Sequence, residues 1–94
     1  MKIRWLSLAL ADLDEVGKCI AEDNPRQAVA VVLRIIDAVE LLVDHPEIGR
    51  PGRVGGTREL VVADLPYIIP YRKKGEWLEI LRVFHQKRKW PPSF

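Results

Sequence analysis

Three strand-like runs follow one another closely in the second half of the chain: GTRELVV at 56–62, PYIIPYR at 66–72 and EWLEILRVFHQKRKW at 76–90. They are rich in β-branched and aromatic residues and are bounded by turn-forming ones, the pattern of strands. The connections, at residues 63–66 and 73–75, are short. Parallel neighbours need a long crossover, so short links predict an antiparallel three-stranded meander. Pro70 has no N–H for a ladder, so its strand is expected to be irregular there or to turn that position away from a neighbour.

Working back toward the N-terminus, Lys2 to Leu6 alternates charged and apolar residues and reads as a first strand. Ser7 can cap a helix, and from Leu8 to about Ala21 the residues Leu10, Leu13, Val16, Gly17 and Ile20 recur at helical spacing opposite Asp12, Glu15 and Lys18. Asn24 as N-cap, Pro25 at the first helical position and Gln27 three residues after the cap mark a second start. Ala28, Val32, Ile35, Ile36, Val39, Leu42 and Val43 give that helix a broad apolar stripe over roughly 20 residues, which Pro46 ends. With only Glu22 and Asp23 before the cap, the two helices form an antiparallel hairpin. Residues 46–57, PEIGRPGRVGGT, are the long loop. The expected whole is a single α+β domain over 1–94: a strand, a helical hairpin packed on one face of a sheet, then the meander.

Charge is unevenly placed. Residues 1–47 balance to −4 and residues 48–94 to +6, inside a net charge of +2. Such asymmetry points to a polyanion or an acidic partner. At 48% apolar and 30% charged the composition is that of a soluble globular domain. Cys19 is alone and falls in a helix, so it is expected to be a buried or half-buried thiol in a reducing compartment. The run Met1–Ala11 imitates a signal peptide but is too short and is cut at Asp12. The longest apolar run elsewhere, AVAVVL at 28–33, is far short of a membrane span. The expected location is cytoplasmic.

For chemistry, the last run ends in Arg82, His85, Lys87, Arg88, Lys89 and Trp90. A regular strand puts Arg82 with Leu78, Ile80 and Phe84, and His85 with Trp77, Glu79, Leu81 and Val83, so the two share a site only if a bulge or the strand end re-aims one. Arg58 leads the stripe Arg58, Leu60, Val62. Guanidinium offers a rigid fork for phosphate or carboxylate, while Glu59, Glu76 and Glu79 are available as ordinary salt-bridge partners for Arg58 and Arg82. His85 is either a hydrogen-bonded strand-end imidazole or an acid–base group. His45, at a helix C-terminus, suits the dipole better than catalysis. Arg50 and Arg53 in the loop and the cluster Lys87, Arg88, Lys89 with Trp90 are candidates for binding a target or nucleic acid. Metal-ligand spacings, a P-loop and a Rossmann fingerprint do not occur in the sequence, and no cofactor is expected.

The run HPEIGRPGRVGGTRELVV, then PYIIPYR and EILRVFHQKRKWP, after an AEDNPRQA hairpin turn, resembles the RelE/ParE superfamily of bacterial type II toxins. The resemblance implies a growth inhibitor silenced by a cognate antitoxin that wraps the helices and sheet, in a toxin–antitoxin hetero-oligomer. RelE-like members cut messenger RNA on the ribosome without metal. On that branch Arg58 and Arg82 match basic positions and His85 falls where some members place a histidine, which would make these three the catalytic set. Arg50 and Arg53 stand where lysines are usual, however, and Trp90 and Phe94 where a tyrosine is common. ParE-like members poison DNA gyrase through a binding surface, and the long DNPRQA hairpin looks closer to that branch. A non-catalytic binding module is the third reading.

Overall fold

A computed structural model describes residues 1–94. Strand β1 (Lys2–Trp5) leads into helix α1 (Ser7–Ala21) and helix α2 (Pro25–Glu40), which is prolonged by a 3-10 turn at Leu41–Val43. Strands β2 (Arg50–Pro51), β3 (Arg58–Val61), β4 (Tyr67–Lys74), β5 (Trp77–Ile80) and β6 (Phe84–His85) follow. The Asn24 side chain accepts from the Gln27 N–H at 3.1 Å, as the capping pattern predicts. Ser7 does not cap: Leu6 holds the N-cap position of α1 and makes no side-chain bond there.

The meander β3–β4–β5 is antiparallel as expected, but the sheet is mixed, in the order β1-β5-β4-β3-β2 with β6 also on β4. β1 pairs parallel to β5, Lys2 opposite Trp77 through Trp5 opposite Ile80. Part of the expected long loop is β2, which pairs with β3.

The third run is not one strand. Tyr71 faces Ile80 and Ile68 faces Phe84, so two residues of β4, Ile69 and Pro70, lie opposite three, Leu81 to Val83. That extra residue is a β-bulge, and it inverts the side-chain alternation beyond it. Val83 therefore joins Leu78 and Ile80 in the core, and Phe84 goes to the opposite face from Ile80, against the simple alternation. Pro70 explains the place: its carbonyl accepts from Leu81 at 2.9 Å, so its N–H-less nitrogen also faces the disrupted stretch.

The helical hairpin covers one face. Ala9, Val31, Ile35, Val39 and Leu42 pack there on Leu60, Val62, Ile69, Tyr71, Leu78, Ile80 and Val83. At Gly17 a Cβ would stand 3.3 Å from the Val32 side chain, so the glycine lets the two helices approach. The other face holds the alternate residues, and on it the chain after β6 turns back: Arg88 N–H donates to the His85 carbonyl at 2.8 Å, and Trp90 and Phe94 pack on the fully buried ring of Phe84.

Candidate functional site

Arg58 lies on the helix side of β3, opposite Tyr71. Its guanidinium donates to the carbonyls of Gly49 at 2.8 Å and Glu47 at 3.3 Å. The Tyr71 hydroxyl accepts from Gly49 N–H at 3.0 Å and donates to the Pro46 carbonyl at 2.8 Å, while burial raises its pKa. Arg58 and Tyr71 thus clamp the turn 46–49 onto the sheet. A Cβ at Gly49 would come within 2.7 Å of the Tyr71 ring, so the clamp requires a glycine. None of the acidic partners expected for Arg58 is the one it uses.

Arg82 likewise avoids the expected carboxylates. It makes a two-pronged pair with Asp12 of α1, at 2.7 and 3.0 Å, and the same carboxylate accepts the Val83 N–H freed by the bulge at 3.0 Å. The hydrogen bond to Asp12 raises the arginine's pKa above its already high ordinary value, so Arg82 is a permanent cation with its fork occupied. Asp12 is the residue sequence reasoning missed. It is 70 positions from Arg82, and only its placement on the polar side of α1 hinted at a role.

His85 is exposed at the far end of the sheet, edge-on to Tyr67, with Nδ1 accepting from the Lys87 backbone N–H at 3.2 Å. It faces Tyr67 and Arg58 faces Tyr71, on opposite sides of β4 and roughly 13 Å apart along it at strand rise. The three residues of the expected catalytic set are therefore not assembled. The bulge that sequence parity demanded is present, yet Arg82 goes to Asp12.

The loop arginines gather around one carboxylate. Glu59, 1% exposed, accepts from Arg50 Nε and Nη2 at 3.1 and 3.0 Å and from the Arg53 backbone N–H at 2.8 Å. The Arg53 guanidinium lies 4.3 Å from the Trp90 ring centroid, and Arg82 and Arg88 each lie 4.7 Å from that of Phe84. The C-terminal tail is thus docked on the open face by aromatic and cation–π contacts. The Trp90 indole N–H is buried with no acceptor, which weakens this docking. A cleft of ≈ 510 Å³ opens between the tail and the start of α1, lined by Leu6, Leu8, Arg72, Leu81, Arg82 and Phe94 among others. Lys87 and Lys89 are exposed, and neither forms an ion pair.

Cys19 is exposed rather than buried. Its thiol lies 3.5 Å from a Glu15 carboxylate oxygen, and that hydrogen bond raises its pKa, so it stays a thiol. No group of three or more His, Cys, Asp or Glu side chains is placed to hold a metal ion, and no helix is long and apolar enough to cross a membrane.

A helical hairpin on a small mixed sheet, with a basic loop and tail on the far side, is the architecture of the RelE/ParE superfamily toxins that the sequence resembles. The solved chromosomal ParDE toxin–antitoxin system from P. aeruginosa superposes with a TM-score of 0.83 at 33% identity, over 90% of this chain and 95% of that one. The family model described as "ParE toxin of type II toxin-antitoxin system, parDE" matches residues 3–90. A putative toxin, Y4kP, of Sinorhizobium fredii is 52% identical over 96% of this chain and 93% of its own length. Toxin RelE2 of Caulobacter vibrioides is 34% identical over 93% and 97%. The chain belongs to the ParE toxin family of type II toxin–antitoxin systems.

Proposed function

We propose that this toxin arrests growth by binding, with DNA gyrase as its target, and that a cognate antitoxin silences it. The observation that carries this reading is the commitment of each arginine that a nuclease site would use. Arg58 is spent on two backbone carbonyls and Arg82 on a carboxylate, and His85 stands apart with one ring nitrogen already accepting a hydrogen bond. Strand cleavage of RNA needs a base, an acid and free cations around one phosphate. A recognition surface needs only charge and shape, which the exposed Lys87, Arg88 and Lys89 supply, with Arg50, Arg53 and Trp90 held in place beside them by Glu59 and Phe84.

The antitoxin is expected to have two kinds of segment. The basic half fits an acidic stretch. The exposed apolar residues Leu10, Val29 and Leu33 and the groove along Leu10, Leu13, Gly17 and Val32 lie on the helical hairpin, in the acidic half, and fit an apolar helix instead.

Purified toxin added to gyrase and plasmid should block supercoiling or trap cleaved DNA, and His85→Ala should act as well as the parent. No effect of the toxin on gyrase would sink the target. Cuts in ribosome-bound messenger RNA that vanish in His85→Ala would replace it with the nuclease reading.

A further inference from the structure

We propose that the open face of the sheet at its β1 end is a platform for single-stranded nucleic acid, centred on Trp77. The register sets two rows of side chains there. Lys2, Trp77 and Lys74 form one row across β1, β5 and β4, and Arg4, Glu79 and Arg72 form the next. Cross-strand partners share a face, and residues two apart along a strand share it too, so all six stand together on the side away from the helices. Four are cations and one is an anion.

Glu79 is buried beneath its neighbours. It accepts from Arg72 Nε at 2.8 Å and lies 3.9 Å from Arg4 Nη1. Its charge is spent on holding two guanidiniums upright, and the patch keeps a surplus of three positive charges. Arg4 lies 4.2 Å and Lys2 5.5 Å from the Trp77 ring centroid, so the half-buried indole orders the cations of the edge strand. Lys2, Arg4 and Lys74 are exposed to solvent.

The make-up of the patch selects the ligand. Cations flanking an aromatic ring suit a backbone of phosphates whose bases are free to stack. An acidic amphipathic peptide would also need an apolar groove along the patch, and none of the exposed large apolar residues belongs to β1, β4 or β5: the apolar cleft at Leu8 and Phe94 meets the patch only at Arg72. A duplex keeps its bases paired and offers Trp77 nothing to stack on. The platform depends on the register, the charge and the Trp77 ring, not on gyrase being the target.

The test is fluorescence anisotropy of the purified chain with labelled oligo-dT, oligo-rU and a duplex, each about 12 nucleotides long, at salt from about 50 to 200 mM. The dT and rU arms tell DNA from RNA. The double variant Lys2→Glu/Lys74→Glu, both solvent-exposed positions, should weaken single-strand binding at least about tenfold and make the plot of log affinity against log salt shallower by ~1.4, two phosphates at about 0.7 each. Trp77→Leu should weaken it at least about fivefold, the loss of one stacked base. Lys18→Glu/Arg26→Glu, the same charge change on the helical hairpin, should stay within about twofold. Thermal melts establish that each variant is folded, and the lysine pair decides the matter if Trp77→Leu is not. Absence of binding by the parent chain, equal loss in the two charge-reversed pairs, tighter binding of the duplex, or displacement by poly-glutamate at equal charge concentration would each overturn the platform.

Discussion

The two faces of the sheet are made by alternate residues of the same strands, yet they are held by different physics. On the helix side, Leu60, Ile69, Leu78 and Ile80 meet Ile35 and Val39 in a dry apolar core. On the open side, buried Ile68, Pro70 and Phe84 are covered by a tail of a few residues, and among them stand Glu59 and Glu79, each buried under two arginines. Burial of apolar area stabilises without regard to direction, whereas a buried carboxylate is tolerated only when its donors are in place. The first face should therefore dominate stability and the second should confer specificity and sensitivity to conditions.

The largest expected effect falls on the dry face. Ile35→Ala, at a fully buried site, should cost about 3 kcal/mol and lower Tm by more than about 10 °C in a domain of this size. Glu59→Ala should come next. It strands the Arg53 N–H, but the half-exposed Arg50 guanidinium regains water, so a loss of about 2 kcal/mol in denaturant unfolding is expected. If Glu59→Ala proved the more damaging of the two, the ranking of the faces would be wrong.

The smallest effect separates the faces by pH. The hydrogen bond from Arg72 holds the Glu79 carboxyl below the usual carboxylate range. A lowered native pKa contributes stability above the ordinary value of about 4.3 and loses it as pH falls from there toward the native pKa. Glu79→Gln should therefore lower stability modestly at neutral pH, where the pair is ionised, and not at all below the native pKa, so that the acid limb of its stability profile is flatter; an unchanged acid limb would show the pair to be idle.

Local chemistry was legible from sequence and long-range partnership was not. Asn24, Pro25 and Gln27 carry their helix start within four positions, and the turn residues between β3, β4 and β5 set an antiparallel order, both found as expected. The parallel pairing of β1 with β5 joins residues about 75 positions apart, and no local pattern encodes it. The bulge at 81–83 misled the alternation because Leu81, Val83 and Phe84 are all apolar and fit either face. Pro70 was the one sign of irregularity, and it sits on the neighbouring strand.

Arginine partners fared worst for the same reason. Arg58 and Arg82 were matched with acids nearby in sequence or on the sheet, but the glutamates of the sheet had taken Arg50, Arg53, Arg72 and Arg4. Asp12 could be recognised only once α1 lay along the sheet edge.

Because β1 is hydrogen-bonded only to β5, residues 2–5 wait during synthesis for residues 77–80, about 75 positions later. The N-terminal strand cannot take its place until residues 77–80 have emerged, and the closing of so long a loop is a slow step. Until then the Asp12 carboxylate has no Arg82 and the α1 edge has no sheet to lie against. A chain interrupted before β5 is left with β1 unpaired and its sheet without the strand that joins the two ends of the fold.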